Sequence, residues 1–211
     1  WTSATALDLD RDGLLDLYVG AYVKFEDKDW VENPPMIEFS GMQMPRTLAP
    51  SPYDPESNAF LANRGDRFED RTRALSLGDE QGRAMAALAA DLDSDGWTDL
   101  FVANDVSPCA LFRNQSGKPE NVATRAYVDE SRGSMGIALG DVEGDGLFDL
   151  AVTHWVGDVP ALYRCVSAKP GRLGYKDIAV TAGLAMLPRD VVGWGVGFTD
   201  MDRDGRDDLL I

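Results

Sequence analysis

One acidic loop recurs four times along the chain: DLDRDGLLDL from Asp8, DLDSDGWTDL from Asp91, DVEGDGLFDL from Asp141 and DMDRDGRDDL from Asp200. Every copy places carboxylates at loop positions 1, 3, 5 and 9. They are Asp8, Asp10, Asp12 and Asp16; Asp91, Asp93, Asp95 and Asp99; Asp141, Glu143, Asp145 and Asp149; and Asp200, Asp202, Asp204 and Asp208. Glycine holds position 6 throughout, as Gly13, Gly96, Gly146 and Gly205. Asp and Gly are ordinary turn residues, and a single loop of this kind reads equally well as an acidic turn. Four copies crowd like charges that repel one another unless a cation sits among them. Hard cations such as Ca²⁺ take six to eight oxygens at roughly 2.3–2.6 Å, which side chains at alternate positions of a tight loop can supply. A backbone carbonyl at position 7 (Leu14, Trp97, Leu147 and Arg206) would complete the shell, and its side chain is then free to vary. No loop carries His or Cys, which disfavours zinc and copper. Mg²⁺ prefers fewer protein ligands and keeps its waters. Up to four Ca²⁺ ions are therefore expected.

The flanking text decides the architecture. An EF-hand needs a bidentate Glu at position 12 and a helix on each side. Here position 12 is Val19, Val102, Val152 and Ile211. The runs LYVGAYV, LFVAND, LAVTHW and LLI that follow the loops are short, apolar and rich in β-branched and aromatic residues, as buried strands are. The segments before them, TSATAL, MAALAA, MGIALG and WGVGFT, are small-residue strands suited to close backbone approach. Each unit thus reads strand, calcium loop, strand. Further strand pairs lie between the loops, in NAFLANRGDRFEDRT, in CALFRN with its continuation, and in PALYRC with its continuation. Loop starts fall 83, 50 and 59 residues apart. A period near 50 built of four strands is the mark of a propeller blade. The fold class is all-β, a β-propeller of four-stranded blades with the Ca-binding loop between the first two strands. Blades are expected at about 1–75, 83–131 and 133–182, with a half-blade at 192–211 and an irregular insertion at 24–57. About 3.5 blades cannot close a ring, so the chain is expected to be part of a larger propeller.

The four aspartate loops, WGVGFTDMDRDG at 194–205 and the hairpin text NAFLANRGDRFEDRT and ALFRN resemble the FG-GAP/VCBS-type calcium-binding propeller repeats also found in integrin alpha chains. The nearest likeness is to the cartilage-acidic-protein-like family. Nearly the whole chain outside the insertion carries it. The resemblance implies an exported, calcium-stabilised propeller acting as a binding or scaffolding module. Glu143 departs from the usual Asp, and its longer arm is expected to reach the cation still.

The formal charge of −16 is less extreme than it looks, because 16 of the 36 acidic residues are loop ligands. No basic stripe exists to neutralise phosphates, which argues against nucleic acid. No run of 18 apolar residues appears, so no membrane span is expected in this chain. Extracellular loops of this type bind Ca²⁺ at about 10⁻⁴–10⁻³ M and would stand empty at cytosolic calcium. An extracellular or periplasmic location follows.

Other residues invite chemical readings. Cys109 and Cys165 fall at opposite ends of equivalent strands, and buried free thiols are expected rather than a bridge. His154 ends a strand without an assignable nucleophile or acid partner, so a structural or surface role is expected. Arg64-Gly65-Asp66 occupies a hairpin turn, where such text is a normal chain reversal. The proline-rich insertion, with Trp30, Met36, Met42 and Met44, is the candidate surface for a protein partner. No acid–base pair stands apart from the loops, which argues against a glycosidase or lyase. The leading reading is a non-catalytic protein-binding or scaffolding propeller, an accessory subunit of an exported assembly. The alternatives are a polysaccharide-degrading enzyme or a lectin-like carbohydrate binder with Trp30, Trp155 or Trp194 as platforms.

Overall fold

The computed structural model describes residues 1–26, 32–39 and 41–211, and Trp30 lies outside them. The chain is all-β. Strands β1 (Ser3–Leu7) and β2 (Asp16–Gly20) pair antiparallel. A separate hairpin, β3 (Met36–Phe39) and β4 (Met42–Pro45), follows. Then β5 (Ala59–Asn63) and β6 (Phe68–Asp70) complete sheet 1 in the order β1-β2-β5-β6. Sheet 2 repeats the order with β7 (Ala84–Ala90), β8 (Asp99–Asn104), β9 (Ala110–Asn114) and β10 (Pro119–Asn121). Sheet 3 does so with β11 (Ser134–Gly140), β12 (Asp149–His154), β13 (Ala161–Lys169) and β14 (Arg172–Asp177). A final pair joins β15 (Gly197–Thr199) to β16 (Asp208–Leu210). One helical turn follows the fourth strand of sheets 1 and 2: α1 (Thr72–Leu75) and α2 (Ala123–Ala126). No helix among the described residues is long and apolar enough to cross a membrane.

The sheets lie face to face, and alternation along each strand assigns its side chains to two different cores. On β8, Leu100 and Val102 join the layer shared with sheet 1, which includes Leu7, Tyr18 and Phe60. Phe101 and Ala103 point the other way, into the layer with Leu150, Val152 and Tyr163 of sheet 3. Burial on both faces is why this strand reads as a continuous apolar run. The layer between sheet 3 and the last pair is thinner, built on Ala138, Ala151 and Leu162 with Phe198 and Leu209 packed against it.

First strands stand side by side in chain order: β1 against β7, β7 against β11, β11 against β15. Small residues make that approach feasible. A Cβ on Gly136 would run into the Trp194 carbonyl, and one on Gly140 would enter the Phe198 ring.

The insertion is more regular than its prolines suggest. Pro34, Pro35 and Pro45 bracket a proline-free stretch that pairs Ile37 with Met44 and Phe39 with Met42. Its base is closed by Lys24 N–H to Asp54 O at 2.8 Å and by Phe25 against Tyr53, ring centroids 5.5 Å apart.

Candidate metal centre

All four acidic loops join the first strand of a sheet to the second, and all fold on one hydrogen-bond template. The position 1 carboxylate accepts from two backbone amides: Asp8 from Asp12 and Gly13, Asp91 from Asp95 and Gly96, Asp141 from Asp145 and Gly146, Asp200 from Asp204 and Gly205. The position 5 carboxylate then accepts the N–H of position 7. Leu14, Trp97, Leu147 and Arg206 donate to Asp12, Asp95, Asp145 and Asp204 at 2.8–2.9 Å. Backbone turning is left-handed at position 6 in each copy, φ +81 to +86. It is also left-handed at position 4, in Arg11, Ser94, Gly144 and Arg203. That second turn was missed in sequence, where only Gly144 hints at it.

Position 9 has a different task. Asp16, Asp99 and Asp149 each accept the N–H of position 2 on one oxygen (Leu9, Leu92, Val142). On the other they accept a backbone N–H from the third strand (Asn63, Asn114, Cys165). They are buried and tie the loop to the sheet. Asp208 makes only the first bond, to Met201, and stays exposed.

Carboxylate oxygens converge within 4.8 Å of one another in three loops: Asp8, Asp10 and Asp12; Asp91, Asp93 and Asp99; Asp200, Asp202 and Asp208. This all-oxygen donor set suits a hard cation. The third loop keeps the backbone template, but Glu143 turns its Oε1 to Arg164 Nη1 at 3.0 Å. Its longer arm lets it reach across to β13. The equivalent acid of loop 2, Asp93, is held in the same way by Arg113 Nε at 2.9 Å. In loop 1 the turn residue Arg64 lies 3.5 Å from Asp10. An arginine thus stands beside the position 3 acid in each full sheet, a pairing that sequence reasoning did not find.

The loops also touch their neighbours. The Arg11 guanidinium stacks 4.4 Å above the Trp97 ring, linking loop 1 to loop 2. Asn114 Nδ2 donates to the Leu9 carbonyl at 2.8 Å, and Gly171 N–H to Asp93 at 3.2 Å.

Burial, reinforced by the charges of Asp93 and Asp95, pushes the Asp99 carboxyl up to about 7 against the amide bonds from Asn114 and Leu92. Asp16 and Asp149 shift upward for the same first reason, burial, with Asp10 and Asp12 or Glu143 and Asp145 adding repulsion. A folded-state acid that holds its proton more tightly than the unfolded chain stabilises the fold below the unfolded pKa, and that stability is lost as pH rises through the folded one. The calcium-free chain is therefore expected to lose stability between about pH 4 and 7, by a few kcal/mol in order of magnitude. Were the loops to take up Ca²⁺, the trend would be expected to reverse, since ligands must deprotonate to bind. Urea midpoints at pH 5 and 7.5, in chelator and in millimolar calcium, check both signs.

His154 is buried with Nε2 2.5 Å from Glu130 Oε1. Burial alone would raise the Glu130 pKa, but the His154 and Arg132 hydrogen bonds and charges hold it below the usual range. Cys109 and Cys165 are buried free thiols in one apolar layer. Arg64 of the Arg-Gly-Asp turn is bonded to Glu69 at 3.0 Å. Trp155 is half-buried, whereas Trp194 is exposed.

The FG-GAP-like repeat family matches residues 91–152, from the start of loop 2 through β12. The match points to a propeller-like protein-interaction module. No curated protein matches the chain.

Proposed function

We propose that this chain is a calcium-stabilised portion of a β-propeller that acts outside the cytoplasm as a non-catalytic protein-binding or scaffolding module. The observation that carries the reading is the convergence of carboxylates in three loops built on one template, each between the first two strands of a sheet. Side-by-side first strands and the FG-GAP-like match support the propeller. Asp8, Asp10 and Asp12, Asp91, Asp93 and Asp99, and Asp200, Asp202 and Asp208 would hold the ions, with the other carboxylates of each loop completing the set. The third loop would hold its ion more weakly, since its carboxylates are not among the groups that converge. The cation's contribution is charge neutralisation: it relieves the repulsion that adds to burial in lifting Asp16 and Asp99.

The calcium requirement is the ground for an exported location. Loops of about 10⁻⁴–10⁻³ M affinity fill only where calcium is abundant. Partner contact is assigned to the insertion, where no described residue of β3 or β4 is fully buried, Met36 of the hairpin is exposed and so is Leu48 in the turn after it.

Calorimetric titration with Ca²⁺ tests the reading. Saturable binding of at least three ions is expected, with Kd of about 10⁻⁴–10⁻³ M. Restoring the shorter acid, Glu143→Asp, is expected to strengthen the weakest site. Absence of any binding heat at millimolar calcium would overturn the proposal.

A further inference from the structure

In a chain of net charge −16, three arginines line one cavity of about 240 Å³ at the seam of sheets 2 and 3. Arg113 comes from β9, Val122 and Arg125 from the α2 region, and Gly171, Arg172 and Leu173 from the β13–β14 hairpin. We infer that this cavity is a binding site for a small oxyanion, a sulfate or a short aliphatic carboxylate.

The Arg113 side chain is nine-tenths buried, and its position is fixed from one end only. Nε donates to Asp93, which leaves the two terminal nitrogens of the fork for another acceptor. Nη2 lies 3.8 Å from where a Cβ would stand on Gly171, so the residue that borders the cavity is one without a side chain to cover that nitrogen. Planar guanidinium forks bind carboxylate and tetrahedral oxyanions through paired charge-assisted bonds. Arg172 is exposed and makes no ion pair among the described residues. Arg125 pairs only with Glu120 at 2.9 Å, both side chains more than 60 % exposed, a contact that solvent screens and a ligand can replace.

Three arginines therefore line one cavity, and among the described residues the only buried carboxylate bonded to any of them is Asp93. The chain's overall negative charge does not prevent local capture, because exposed charges beyond about 8 Å are screened at physiological salt. Size selects the ligand. The cavity is below the roughly 300–1,000 Å³ of sites for drug-sized molecules, which excludes a nucleotide and admits one small anion. Val122 and Leu173 form an apolar wall that would cover a short aliphatic stem.

Arg125 and Arg172 make no contact with loop 2 among the described residues, whereas Arg113 is held through Asp93, so the titration is run with the calcium concentration fixed. The test is titration of the chain with sodium sulfate and, separately, sodium propionate, in millimolar calcium chloride and with ionic strength held constant by sodium chloride. Saturable binding of at least one anion is expected. Arg172→Ala is expected to weaken it about tenfold or more, the loss of charge-assisted bonds from one guanidinium. Arg73→Ala, in α1, removes an exposed arginine outside the cavity and is expected to leave it unchanged. Tighter binding of propionate than sulfate would assign the apolar wall to a carboxylate stem, and the reverse order would assign the site to sulfate. Lack of saturation with both anions, or equal affinity in Arg172→Ala and the parent chain, would overturn the inference.

Discussion

Stripping calcium with a strong chelator is expected to lower the melting temperature of this chain by about 5–20 °C. At one to ten times Kd a bound ion stabilises by roughly 0.4–1.4 kcal/mol, and four independent loops by roughly 2–6 kcal/mol. A domain of this size shifts by about 2–4 °C per kcal/mol. The three convergent carboxylate groups are expected to carry most of that effect, and loop 3, whose acids do not converge, the least. Single-loop variants should apportion it: Asp95→Ala ought to remove one loop's share and leave the others responsive. Scanning calorimetry with calcium, with chelator and after calcium is restored provides the measurement. A melting curve that chelator leaves unmoved would remove calcium from the account of stability.

Replacing Asp99 by alanine is expected to destabilise the chain by about 2–6 kcal/mol, because two buried amides lose their acceptor at about 1–3 kcal/mol each. Those amides belong to Leu92 and Asn114, at 3.0 and 2.8 Å from the carboxylate. Asp99 is 0 % exposed, so no water can take its place without rearrangement. The equivalent change at Asp208 should cost far less, since that exposed carboxylate accepts only the Met201 amide. The diagnostic feature is persistence in chelator. A residue that served only as a calcium ligand would lose its effect once calcium was gone, whereas the hydrogen-bonding role of Asp99 remains. Denaturant unfolding of both variants with and without calcium separates the two roles.

These two expectations mark how far the sequence could be read. The loop spacing exposed the carboxylates because all of them fall within nine consecutive residues and recur. The run LFVAN after loop 2 announced a strand buried on both faces, and Phe101 and Val102 do enter different layers. The double task of position 9 was not legible. A ligand and a hydrogen-bonding acceptor are the same letter, and Asn63, Asn114 and Cys165 each contribute a backbone amide, so Cys serves as well as Asn and no side chain marks the contact. Nor could the arginines be found, since Arg113 meets Asp93 only after the chain has run through β8 and back along β9. Asn114 reaches the Leu9 carbonyl across 105 residues, a contact no local pattern encodes. In the insertion, counting prolines obscured the alternation of Ile37, Phe39, Met42 and Met44 that makes a hairpin.

Because the two faces of sheets 2 and 3 belong to separate apolar layers, neither sheet owns a core that it could keep by itself. Energetically such an array behaves as a row of neighbours, in which each member's persistence depends on the pair it leans against. Damage to sheet 2 or to sheet 3 therefore opens two seams at once. A substitution in either sheet is thus bound to be answered by its neighbours on both sides, and these units change in concert.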